Sequence, residues 1–320
     1  MIVILSSQAR HSLIFPARVG FALLVCLGFV LVACGSSPTA SGSYIYTDNT
    51  QVEWLSWKSD NNGKLTGQWN GVSYQLPLSR NSQPLVSQPV SLTGTTNNET
   101  IQLTGSMLSF QGTVSNSLLK LQATNSSGQV VDQNWVPASQ QDYNSLVKVF
   151  NTSMHLQGTM TDLDHEVKFP TDDSNPASLD TSVKQAQQYV TLLKGKVTSI
   201  QTASSHAAQC QQLDLLSQYY PAAPETFQLP YQPENSTLAK DLNTIASLWK
   251  QAQQQAFHIA GLDPPWVFTQ AKVNNAMAPG QTAYTTLQNT YKQDQKTMSQ
   301  LQQDYQNAGN TISTLQQTCS

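Results

Sequence analysis

Apolar positions fall along this chain in three successive rhythms. The first is a continuous run from Val19 to Val32 with no charged side chain. The second, from Tyr44 to about Val136, alternates apolar and polar residues with a period of two, which predicts β-strands. The third, from Ser139 to the C-terminus, spaces apolar residues by three and four, which predicts amphipathic helices.

In the alternating region, Asn61-Asn62-Gly63-Lys64 predicts a hairpin turn between strand-like runs. Asn70-Gly71 predicts a second turn, and Gly128 after Asn125-Ser126-Ser127 a third. A short echo recurs as Leu65-Thr66-Gly67-Gln68, Leu92-Thr93-Gly94-Thr95 and Phe110-Gln111-Gly112-Thr113. Glycine inside a strand marks a bulge or a bend. Short strands with regular turns predict an antiparallel meander, folded as a sandwich or closed as a small barrel. Pro137 ends it.

Ser139 is placed to cap a helix carrying Tyr143, Leu146, Val147, Phe150 and Met154 on one side. Gln157 to Asn175 then reads as a polar, acidic connector. Asn175-Pro176 opens a long helix to about Gln218, with a seam at Leu179, Val183, Ala186, Val190, Leu193, Val197 and Ile200. Four prolines from Pro221 to Pro233 make a loop. Ser236 restarts a helix that runs to Gly261, and a shorter one covers Val267 to Met277. After Pro279-Gly280, a last helix runs from Tyr284 to Cys319 with Asp294 as the charged residue in its seam. A lone polar residue in such a seam sets register. Three helices running up, down and up leave the first and third parallel, so Cys210 and Cys319 meet at one end and a disulfide is expected. The fold class is therefore α+β in two domains: a β domain over 44–137 and a long antiparallel, coiled-coil-like helical bundle over 138–320.

The N-terminal run is shorter than the roughly 20 apolar residues a membrane-spanning helix needs. Arg10 and Arg18 precede or flank it, and Ala33 follows it, which is the pattern of a secretory signal. Leu31-Val32-Ala33-Cys34 resembles the lipobox of bacterial lipoproteins, and the resemblance covers this N-terminal stretch alone. It implies that residues 1–33 are a signal peptide, that the Cys34 thiol carries a diacylglyceryl group, and that residues 34–43 are a flexible tether. It also implies an anchor on the extracytoplasmic face of the cell membrane, since two or more acyl chains hold stably. Cys26 follows Val25 in mid-run and fits the lipobox less well. An ordinary secreted chain cut near Ala33, or an uncleaved membrane helix, is the other reading.

Beyond residue 33 the chain has 14 basic and 19 acidic residues, a net charge of −5. That balance argues against nucleic acid as a partner, because nucleic-acid binding needs a basic surface. With Cys26 removed and Cys34 lipidated, Cys210 and Cys319 form an even pair suited to one disulfide in an exported chain. Trp54, Trp57 and Trp69 are candidate ligand-binding rings for a sugar or peptide, against the stronger expectation that they fill a core. Trp54 and Trp57 are three apart and point to opposite faces of an unbulged strand.

The acids between Asp162 and Asp173 suggest either a cation site or a solvated connector; they match no EF-hand spacing. His155, His165, His206 and His258 fall in no catalytic signature, and there is no nucleophile elbow and no phosphate-binding loop. No cofactor is implied. The function expected is non-catalytic binding or scaffolding at the cell envelope, with an envelope protein or glycan as partner. The alternatives are a glycan-processing enzyme with its site at the domain junction, and a small-ligand carrier with an apolar cavity inside a barrel.

Overall fold

The alternating region forms nine strands among the described residues of a computed structural model. Described are residues 41–320, apart from 98, 107, 116–117, 125–129, 218–223 and 256. The run Val19–Val32, the Leu31–Cys34 motif, the Asn125–Gly128 turn and Pro221 lie outside the described residues.

Strands β1 (Ser41–Thr47), β2 (Gln51–Ser59) and β3 (Lys64–Ser73) pair antiparallel in order. Next along the same edge of β3 come the two-residue β4 (Leu85–Val86) and then β5 (Val90–Asn97), which together act as one broken strand. Strands β6 (Thr100–Thr104), β7 (Ser109–Val114), β8 (Leu119–Thr124) and β9 (Val130–Pro137) continue the meander. β9 pairs back onto β1 through Tyr44–Pro137 and Ile45–Val136, which closes an eight-stranded barrel.

The barrel explains the glycine echo. Gly67 lies between Trp57 and Leu92 on the neighbouring strands, Gly94 between Leu65 and Leu103, and Gly112 between Ile101 and Leu121. All six flanking residues are buried in one cluster with Phe110 and Trp135. A small interior has room for large side chains only if small ones alternate with them. At Gly112 the strands are so close that a Cβ would overlap the carbonyl oxygen of Lys120. The turn at Asn62-Gly63 is present, with Gly63 at φ 76°. The turn expected at Asn70-Gly71 is absent: β3 runs through both residues, which pair with Trp54 and Glu53. The first strand also begins at Ser41, so Ser41–Ser43 are sheet and not tether.

Helix α1 (Gln140–Lys168) starts with a capping box in which Ser139 and Asp142 satisfy each other's backbone N–H groups. It lies against the outer faces of β1, β2 and β3, where Ile45, Val52, Trp54 and Val72 share a core with Leu146, Phe150 and Met154. It also runs eleven residues past Gln157, through the stretch read as a connector. Leu156 and Leu163 continue its buried face, so Asp162, Asp164 and Glu166 ride on a helix that has a core to pack against, while Asp172 and Asp173 lie in a short turn beyond it.

Helix α2 (Pro176–Gln201) is capped by Asn175, and its buried residues are the seven of the seam read from the sequence. It ends at Gln201 and not near Gln218. Thr202 turns its hydroxyl back to Thr198, and Ser205 caps a separate helix α3 (His206–Ser217). Such hydroxyls offer the backbone an alternative to continuing the helix. α3 folds back so that Leu213 and Leu216 meet Leu193 and Ile200.

Helix α4 (Thr237–Gln254) stops before Ile259, which leaves the helix and packs under α1 beside Trp266. Helix α5 (Gln270–Cys319) is continuous for 50 residues, through the expected break at Pro279-Gly280. Packing holds it together across the proline, with Val273 and Met277 on one side and Ala283 and Tyr284 on the other in the same core. Gly280 admits Leu163 of α1, whose Cδ1 would lie 2.7 Å from a Cβ there.

α5 thus spans two regions. Its first half packs on α1 and α4 beside the barrel. Its second half runs parallel to α2 as an arm, with Met298 against Val183 and Ala186, and Ile312 against Val197 and Ile200. The Cys210–Cys319 disulfide, with Cα atoms 5.5 Å apart, ties α3 to the end of α5. The expectation of parallel first and last helices joined there holds, with Cys210 on α3. The described residues from Ser41 onward form one compact unit, and α1 shares its core with the strands. No described helix is long and apolar enough to cross a membrane.

Candidate functional site

Strand β2 carries a buried carboxyl near one end of the barrel. Its residues alternate inward and outward, so Glu53, Leu55 and Trp57 face in, while Val52 and Trp54 face out. Glu53 is 9 % exposed and accepts a hydrogen bond from Trp69 Nε1 at 3.2 Å. Burial pushes its carboxyl up to about 7, with the Trp69 bond opposing and the charge of Asp48 adding to the rise. Tyr46 stands nearby, packed on Trp135 at 5.6 Å between ring centres. Its hydroxyl is pushed up to about 12, by burial first and then by Asp48 and Glu53. A carboxyl that titrates near neutrality can hold or release a proton under physiological conditions. Its sequence signal was an acid at an inward position between Val52 and Trp54, on the same parity as Leu55 and Trp57.

The three candidate tryptophans do not converge. Trp57 is buried inside the barrel and stacks on Tyr44 at 5.1 Å and 6°. Trp54 is buried outside it, tilted against Tyr143 of α1, with Nε1 donating to Ser43 Oγ. Both faces of β2 are covered, so neither ring is free to stack on a sugar. Trp69 is half-buried and held by Glu53. Leu55, Leu65, Leu103, Leu119 and Trp135 have no exposure at all, so the barrel interior is occupied by its own side chains, which weighs against a carrier of small ligands.

At the junction of strands and helices, the loop after β3 reaches over to α1 and α4. Arg80 donates from its backbone N and its Nε to Asp162 Oδ2 at 2.8 and 2.9 Å, and pairs through Nη1 with Asp241. Asp241 Oδ2 is buried without a partner. Burial drives the Asp241 carboxyl up to about 6, Arg80 opposes, and Asp162 and Glu166 add to the rise. One guanidinium thus serves two carboxylates and fixes the loop to both helices.

Of the other acids of the 162–173 stretch, Asp164, Glu166 and Asp173 are likewise engaged. Lys168 pairs with Asp164, Glu166 accepts from Thr171 N and Oγ1, and Asp173 accepts from Thr171 Oγ1 and Thr237 N. These are caps and ties between helices. Among the described residues, the one group of His, Cys, Asp and Glu close enough to hold a metal ion is His206 with Cys210 and Cys319. Both sulfurs belong to the disulfide, so the group has no thiolate to offer. His155 faces the edge of Tyr74 and His165 packs on Phe169.

Comparison with protein-family models, with curated proteins and with solved structures finds no match in any of the three.

Proposed function

We propose that this chain is a lipid-anchored, extracytoplasmic protein of the cell envelope that binds or scaffolds without catalysis. Cys34 carries the lipid, the barrel forms the part next to the tether, and the α2–α5 pair forms a coiled-coil-like presenting arm. The observation that carries the reading is the Cys210–Cys319 disulfide taken with the Leu31–Cys34 motif. Disulfides persist in oxidising compartments outside the cytoplasm. The arm suits presentation because α2 alone is about 39 Å long and buries a single stripe, which leaves its polar flanks free for a protein or glycan partner. Trp54 and Trp57 are buried and take no part in that contact.

Mass spectrometry of the native product from its own membranes tests the anchor. The expected N-terminal peptide starts at Cys34 and carries acyl chains, and Cys34→Ser releases the chain from the membrane fraction. A product that retains Met1, or an unmodified Cys34 in a freely diffusing chain, contradicts the reading. Photo-crosslinkers at Gln188 and Gln303, both exposed on the arm, test presentation. They should give a discrete adduct in intact cells, whereas one at Lys120 on the barrel should not.

A further inference from the structure

A groove runs between α2 and α3 near the tip of the arm, with a volume of about 480 Å³. That volume falls within the range of small-molecule sites. Its floor is Leu193, Ile200 and Leu216, which belong to the core that α3 and α5 share. Its walls are Leu192 and Leu215, 68 % and 56 % exposed, so two leucines on facing helices stand open to water among the described residues. Contiguous apolar surface of this kind marks a binding site more often than isolated exposed residues do.

Apart from Tyr189 at the opposite end, the polar groups are gathered. Lys196, Ser199 and Gln212 line the same groove, displaced along α2 from Leu192 towards the disulfide end. Lys196 is exposed and joins none of the ion pairs among the described residues; Lys194, two positions earlier, takes Asp304 instead. The groove therefore has an apolar stretch and, beyond it, an unneutralised cation beside a hydroxyl and an amide. A wholly apolar ligand would leave that cation unused. A peptide helix would need a longer apolar track than Leu192 and Leu215 provide.

We propose that this groove binds a single-chain amphiphile with an anionic head, of the fatty-acid class. The carboxylate sits on the Lys196 ammonium, with Ser199 and Gln212 as further donors, and the alkyl chain lies between Leu192 and Leu215 over the leucine floor. The site is independent of the lipid on Cys34 and of the partner proposed for the arm.

Calorimetric titration tests it on the chain from residue 34 onward carrying Cys34→Ser, with laurate kept below its micelle-forming concentration. Laurate should bind saturably with one site, and dodecanol about tenfold or more weaker, because a hydrogen-bonded charge is lost. Lys196→Glu should weaken laurate by a similar factor, and Leu215→Ser should weaken both ligands. Lys250→Glu, on α4, should change neither. Leu215 and Lys196 are exposed, so both variants keep the fold, as circular dichroism and an intact disulfide verify. Equal affinity for laurate and dodecanol, unchanged binding by Lys196→Glu, or no saturable binding by the folded chain overturns the proposal.

Discussion

Strand β2 and helix α2 bury their apolar residues in opposite ways. β2 is covered on both faces, by the barrel interior on one side and by α1 on the other, so Trp54 and Trp57 are both buried although they point apart. α2 is covered along one stripe of seven residues, and the rest of its surface meets water. A residue lost from β2 opens one or the other of two large cores. A residue lost from α2 disturbs a narrow seam, and the disulfide holds that seam closed at its end. Stability should therefore be uneven along the molecule, with the arm opening at lower free energy than the barrel.

The largest expected effect is on the arm. Cys210 and Cys319 are 109 residues apart in sequence, and a bridge closing a loop of that order contributes up to about 4.7 kcal/mol by loop entropy. Cys210→Ser with Cys319→Ser should split denaturant unfolding into two steps, helical signal first and tryptophan fluorescence later. A single coincident transition shifted as a whole would show that arm and barrel unfold together. Next comes Trp57→Ala, which should cost about 3–5 kcal/mol and move the barrel transition while leaving the arm's in place. It is read in the same two-probe experiment.

Glu53→Gln sharpens the barrel side. The Glu53 carboxyl titrates near 7 when folded, above an unfolded value of about 4.3. The folded barrel therefore binds the proton more tightly, and this stabilisation is complete below about pH 4. It is lost as pH rises towards 7. Glutamine keeps an acceptor for Trp69 and removes that slope, so the variant should be more stable than the parent at pH 8 by about 1–3 kcal/mol and no more stable at pH 4. Melts across this range check it. Asp241, raised in the same direction to about 6, adds a pH dependence of the same sign. The smallest effect belongs to Lys194–Asp304, a surface pair at 3.3 Å; Asp304→Asn should change stability by less than about 1 kcal/mol, and less still in high salt.

The helical seams and the strand region were legible because each repeats one spacing many times. All seven α2 seam residues are buried, and the closed meander was one of two readings of the strands. The boundaries failed where tertiary packing overrode a local signal. Asn70-Gly71 looks like a turn but stays in β3, because both residues have partners on β2. Pro279-Gly280 looks like a break, but α5 has core on both sides of it. The acids after Gln157 look like a loop, but Leu156 and Leu163 keep that segment helical. At the candidate sites, the disulfide followed from counting cysteines and aligning helix ends. The fixing of the loop by Arg80 could not, since Arg80 lies 82 residues from Asp162 and their meeting depends on how the barrel docks on α1. Glu53 was missed, although an acid on the same parity as Leu55 and Trp57 was a signal for it.

The contrast between a doubly covered barrel and a singly covered, stapled arm is tested most directly by native-state hydrogen exchange of the oxidised and reduced chain. Reduction should speed exchange in α3 and in residues 305–319 of α5, and leave β2, β3 and β9 at their oxidised rates. Unchanged exchange in α3 on reduction, or equal acceleration in the barrel strands, would contradict it.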